Sequence, residues 1–223
     1  MVGFILFALI LMGNRPETLP PPTLVLRPHA FLAPHADPGC PPWNTLAPIF
    51  LSKTEDACVP DQATSVRAGY DETGLRLLFE CEDAEPWATL TERDAPLYTE
   101  EVVEVFLDPV GDREAYFEFE VNVLNAVFDG CMRRVRNGYR KDFRWRCDGL
   151  QTAVRLCPGG WCAEWAIPFQ SIALQTPRAG DRWLGNFTRI DRPTSRPREL
   201  SAWSPTGLAQ FHVPARFGVL EFR

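Results

Sequence analysis

Residues 115–122 read AYFEFEVN, and their alternation decides the fold class. Phe117, Phe119 and Val121 fall on one side of an extended chain, while Tyr116, Glu118, Glu120 and Asn122 fall on the other. This is the period-two pattern of a strand with one face in a core. A helix would scatter the same phenylalanines around its axis. Just upstream, residues 102–107 (VVEVFL) form a second β-favouring run, closed by Asp108-Pro109 with Gly111 in the turn, so the two runs are expected to pair. Further out, residues 64–70 (TSVRAGY) and 75–81 (LRLLFEC) flank Asp71-Glu72-Thr73-Gly74 and read as a hairpin. Residues 150–156, 160–167, 183–190 and 217–222 add four strand candidates, and residues 169–174 after Pro168 are the one candidate for a short helix. About ten strands with one short helix predict an all-β fold, an antiparallel β-sandwich or jelly roll. The 21 prolines and 15 glycines, spread without period, fit many short elements.

With 223 residues, 45% hydrophobic and 12% aromatic, the chain holds enough apolar surface for one domain, placed at residues 24–223, and full disorder is excluded. Residues 1–12 (MVGFILFALILM) are continuously apolar. A bilayer-spanning helix needs ~20 residues, so residues 1–13 are read as an atypical signal peptide without a positive start or a small-residue cleavage site. Residues 14–23 (NRPETLPPPT) follow as a Pro-rich spacer. A secreted or periplasmic protein is the expectation.

The net charge of −6 argues against general nucleic-acid binding, because phosphate contacts need a cationic surface. The distribution is uneven, with +6 in residues 132–147 and −12 in the remainder. Tyr139, Phe143 and Trp145 interleave the arginines there, so binding of an acidic polymer or nucleic acid is one reading. A solvated hairpin whose arginines pair with the acidic remainder is the preferred one. The seven cysteines are odd in number and lack a C-x-x-C pair, which disfavours zinc. Cys157 and Cys162 flank Pro-Gly-Gly-Trp, where a disulfide across a hairpin and a pair of small buried thiols are both open readings. Nucleophilic triads, P-loops and dinucleotide fingerprints are absent from the sequence.

Glu104 interrupts an otherwise apolar run. If the runs at 102–107 and 115–122 pair, adjacent strands ~4.8 Å apart bring Glu104 close to Glu118 or Glu120. Like charges at that spacing repel unless sugar hydroxyls, an arginine or a calcium ion bridge them. Two close carboxylates are also what a retaining glycoside hydrolase uses, at ~5 Å. A short chain and a flat sheet face, offering little desolvation, weigh against that enzyme.

A longer series of elements carries a family resemblance. Trp43 is followed by residues 66–71 (VRAGYD), 75–83 (LRLLFECED), Pro96-Leu97-Tyr98 and 103–109 (VEVFLDP). Then come residues 116–122, 160–164 (GWCAE) with 166–169 (AIPF), 180–183 (GDRW), Asn186-Phe187, 202–206 (AWSPT), Phe211-His212 and Phe217-Gly218. In this order they resemble the family 9 carbohydrate-binding modules, β-sandwich domains attached to bacterial xylanases. The resemblance implies a non-catalytic monomer that binds an oligosaccharide or polysaccharide of the xylan or cellulose type. Two aromatic rings would hold the terminal sugar over polar side chains, in support of polysaccharide breakdown, with structural calcium as an accessory. Carried over residue by residue, the clamp rings fall on Tyr98 and Phe211, and the hydroxyl-binding residues on Glu104 and Asn122. His212, beside Phe211, is a further candidate donor. Both clamp positions are tryptophan in the sugar binders that match best. Glu120 stands where an arginine is expected, and Pro205 where an aspartate is. Trp43, Trp161, Trp165, Trp183 and Trp203 are expected in the core or at its rim.

Overall fold

The computed structural model describes residues 20–142 and 144–223. The apolar N-terminal run, the first part of the Pro-rich spacer and Phe143 lie outside the described residues. The strands are β1 (Thr23–Leu26), β2 (Ile49–Phe50), β3 (Ser52–Lys53), β4 (Thr64–Tyr70), β5 (Gly74–Glu82), β6 (Val102–Asp108) and β7 (Ala115–Val121). They continue as β8 (Val127–Val135), β9 (Gly138–Asp142), β10 (Gln151–Cys157), β11 (Gly160–Pro168), β12 (Arg182–Asp191), β13 (Glu199–Ala202) and β14 (Gly218–Phe222). A single helical turn, α1 (Phe169–Ile172), follows Pro168 as expected.

The strands form two sheets. One runs β1-β14-β12-β6-β7-β8-β9, with β13 and β3 branching from β12; the other runs β10-β11-β5-β4-β2. All pairings are antiparallel except that of β1 with β14. The expected pairing of β6 with β7 places Glu104 directly opposite Glu120, and Phe106 opposite Glu118. No helix among the described residues is long and apolar enough to cross a membrane.

The alternation read in residues 115–122 sorts residues between two apolar layers. Val103, Val105, Leu107, Phe119 and Val121 meet Phe79, Trp161 and Trp165 of the second sheet in the central core. Val102, Phe106 and Tyr116 point the other way, into a second cluster with Leu97, Phe211 and Phe217 from the covering loops. Loops therefore roof the outer side of the larger sheet. On the far side of the smaller sheet Trp43 packs with Leu78 and Cys162, anchored by the Glu164 carboxylate. Glu164 accepts from the Trp43 indole at 3.0 Å and from the backbone N–H groups of His35 and Ala36 at 2.9 and 2.7 Å.

Residues 132–142 belong to the β8–β9 hairpin, where Arg134 pairs with Glu114 and Lys141 with Glu118, while Arg146, beyond the hairpin, pairs with Asp94. At the β10–β11 turn the Cys157 and Cys162 sulfurs lie 3.8 Å apart as free thiols.

That turn depends on glycine. Gly159 adopts φ +85°, and a Cβ on Gly160 would stand 1.9 Å from the Cys81 carbonyl oxygen, a backbone atom that cannot move aside. Gly160→Ala is expected to lower unfolding free energy by about 3 kcal/mol, read as a shift in the urea midpoint. A wild-type midpoint would show that β5 and β11 separate without cost.

Candidate functional site

Pairing alone builds the polar row at the centre of the larger sheet. Thr188 of β12, Glu104 of β6 and Glu120 of β7 lie side by side across three strands, and Glu118 stands two residues from Glu120 on the same face. All three glutamates are buried, at 2%, 2% and 1% exposure for 104, 118 and 120. Each carboxylate has a different set of partners. Thr188 donates to Glu104 at 3.0 Å. Glu118 meets the Lys141 ammonium at 3.2 Å and His212 Nε2 at 3.2 Å, while His212 Nδ1 lies 2.9 Å from the Tyr116 hydroxyl. Glu120 lies near the Tyr98 backbone, but its Oε2 is buried without a hydrogen-bond partner.

The three acids consequently differ in charge. Burial, with the neighbouring Glu118 carboxylate, pushes Glu104 up to about 8. Burial and the charges of Glu104 and Glu118 raise Glu120 as well. For Glu118 burial pushes upward too, but the bonds from His212 and Lys141 outweigh it and hold the carboxyl below its ordinary range. The row thus combines one carboxyl held toward its charged form, Glu118, with two whose proton affinity is raised, Glu104 and Glu120.

Tyr98 sits above this row on the turn Leu97–Thr99, whose Leu97 is anchored in the outer apolar cluster. Tyr98 is 50% exposed, and the Lys141 ammonium lies 5.9 Å from its ring centroid. An open ring beside carboxylates is an arrangement suited to stacking on the apolar face of a pyranose while hydroxyls bond to the acids.

Two sequence expectations meet a different environment. Phe211 is not a free clamp ring: it is 6% exposed, within 6.4 Å of Phe106 in the outer cluster, because the 203–217 loop folds back onto the sheet. Asn122 is not a polar floor. Its amide donates to the Leu90 carbonyl, and its oxygen accepts from the backbone N–H groups of Leu124 and Ala126, so the side chain is spent in building the turn after β7. Glu104, Glu120, Tyr98 and His212 do converge. Lys141 and Thr188 join them without having been singled out. Lys141 is hidden in the basic run, and only the β8–β9 register reveals that it faces the acids.

A second charged cluster lies at the end of β12. Asp83, Glu101 and Asp191 present oxygens within 4.8 Å of one another. The arrangement does not fit calcium, which requires six to eight available oxygen ligands. Arg189, 1% exposed, already donates to Asp83 at 2.9 Å and lies 3.5 Å from Asp191. Both Glu101 oxygens accept backbone N–H groups, from Trp87 and Arg192. A guanidinium supplies the positive charge here.

Burial, reinforced by Asp83, pushes Glu101 up to about 8, as high as Glu104, against an ordinary value of 4.5. Between those values the folded chain retains protons that the unfolded chain has released, so rising pH favours unfolding. Stability is expected to fall as pH rises from about 4.5 to about 8, with a shallower decline in Glu104→Gln. Urea unfolding across that window checks it, and a rising stability would contradict it.

With the geometry in place, the chain can be set beside known proteins. The family described as "Carbohydrate family 9 binding domain-like" matches residues 41–223. Among solved structures, a Bacteroides uniformis protein superposes with TM-score 0.70 at 20% identity, over 91% of this chain and 100% of that one. A family 9 carbohydrate-binding module from Caldicellulosiruptor kristjanssonii, in complex with cellotriose, gives 0.67 at 17% identity, covering 90% and 93%. The module from the same organism in complex with glucose gives 0.67 at 16%, covering 90% and 95%. No curated protein matches the chain. The strand series read from the sequence, the two-sheet sandwich and the span of the family match converge: the chain belongs to the carbohydrate family 9 binding domain-like family.

Proposed function

We propose that the domain binds the end of a glucan or xylan chain without cleaving it, stacking a terminal pyranose on Tyr98 and bonding its hydroxyls at the rim that His212 and Lys141 form above Glu118. One observation carries this: half-exposed Tyr98 shares the Lys141 ammonium with the buried Glu118 carboxylate, 5.9 Å from the ring centroid and 3.2 Å from the acid. The solved relatives in complex with cellotriose and glucose support the choice of sugar class. Glu104 and Glu120 lie beneath the rim and fix its polarity. In this role the protein acts outside the cytoplasm, as a monomer, in support of polysaccharide breakdown.

Glu104 and Glu118, with proton affinities pushed apart, also resemble an acid and an anion poised for glycoside hydrolysis. Hydrolysis needs a sugar ring, and in retaining enzymes later a water, between the two carboxyls. Both are almost wholly buried, whereas binding requires only that hydroxyls reach the rim. Release of nitrophenol from an aryl glycoside, lost in Glu104→Gln, would reverse this preference.

Calorimetric titration with cellobiose, xylobiose and glucose tests the binding role. Dissociation constants on the order of micromolar are expected, because a clamp of one or two sugars buries little surface. Tyr98→Ala should weaken binding about tenfold. Absence of heat with all three sugars would refute carbohydrate binding.

A further inference from the structure

The row beneath Tyr98 holds more acid than a neutral sugar needs. Three glutamates meet on one sheet face, and Glu120 Oε2 is buried there with no donor. The cation inside the notch is the Lys141 ammonium, 3.2 Å from Glu118, 5.9 Å from the Tyr98 centroid and within electrostatic reach of Glu104 and Glu120. Other charged or titratable groups facing these acids are His212 and Tyr116 beside Glu118, and Arg198 toward Glu104. Carboxylates with an aromatic face form a recognition site for an ammonium group. Lys141 is 33% exposed at its side chain and comes from the edge strand β9, so its head can swing to solvent while the buried glutamates stay fixed.

Resting on the carbohydrate-binding role proposed above, we infer that the notch prefers a sugar bearing a free amine, whose ammonium takes the place of the Lys141 head between Tyr98 and the glutamates. Lys141 then acts as an internal competitor, filling the notch when no ligand is present. A neutral sugar offers hydroxyl donors to Glu118 but cannot supply the charge that three clustered acids favour. An amine does, and it also gives Glu120 Oε2 a donor.

Calorimetric titration of the full chain with three disaccharides tests this: cellobiose, the β-1,4-linked glucosamine dimer, and its N-acetylated form. At about pH 7 the glucosamine dimer should bind about tenfold more tightly than either of the others. Lys141→Ala removes the competitor and should tighten the dimer further by about tenfold, while cellobiose, which loses a rim donor, should bind more weakly. Equal affinities for cellobiose and the glucosamine dimer overturn the amine preference and leave carbohydrate binding standing. An N-acetylated dimer as tight as the free amine also overturns it. Weaker dimer binding in Lys141→Ala overturns the competitor role. Silence with all three sugars overturns the amine preference together with the binding role.

Discussion

Replacing Arg189 with methionine should lower the free energy of unfolding by about 3–5 kcal/mol, the largest loss expected from any single substitution in this domain. The guanidinium is 1% exposed and donates to the Thr64 hydroxyl at 3.1 Å, the Glu82 carbonyl at 2.7 Å and Asp83 at 2.9 Å. Methionine fills similar space but leaves Asp83 and Asp191, near Glu101, without the buried cation that offsets them. Arg196 reaches Asp191 from the surface at 2.5 Å and cannot serve Asp83 as well. Urea denaturation should show the midpoint falling steeply. Combining the change with Asp83→Asn should recover part of the loss, since the two side chains are in direct contact. A midpoint unchanged in Arg189→Met would mean that the carboxylates are neutral and need no counterion.

Glu164→Ala should cost about 3 kcal/mol and act through a different part of the molecule. Its carboxylate is 1% exposed and accepts three donors, two from backbone at residues 35 and 36 and one from the Trp43 indole. Removing it strands those N–H groups, and those of Ala36 and Trp43 are buried. The covering layer around Trp43 should loosen before the sandwich does. Limited proteolysis should then cut within residues 27–46 while the remainder stays intact, and uniform resistance to protease would contradict this.

Much of the central architecture was legible because it rests on local pattern. The alternation of β6 and β7 decided which residues enter the core, and it brought Glu104 to Glu120 once the two strands were paired. Elements made by partners rather than propensity were not legible. β2, β3 and β13 are two to four residues long and exist because longer neighbours supply their hydrogen bonds. β8, residues VFDGCMRRV, contains Gly130 and two adjacent arginines and lacks clean alternation, so pairing with β7 defines it. The candidate site divides in the same way. Glu104 and Glu120 follow from short-range order and Tyr98 from the family resemblance, while the burial of Phe211 depends on how a long loop returns to the sheet. Asn122 shows a further limit. A polar residue ending a strand reads as a ligand group or as a turn former, and only its bonds to residues 90, 124 and 126 decide for the turn.

The parallel pairing of β1 with β14 has a mechanical consequence. Thr23 aligns with Val219 and Leu26 with Phe222, so the polypeptide enters at one end of this strand pair and leaves at the other. Tension between the two ends therefore pulls along the strands and loads their hydrogen bonds together in shear, instead of peeling them apart one by one. A domain tethered on one side and drawn from the other would meet the force where it is best placed to resist it.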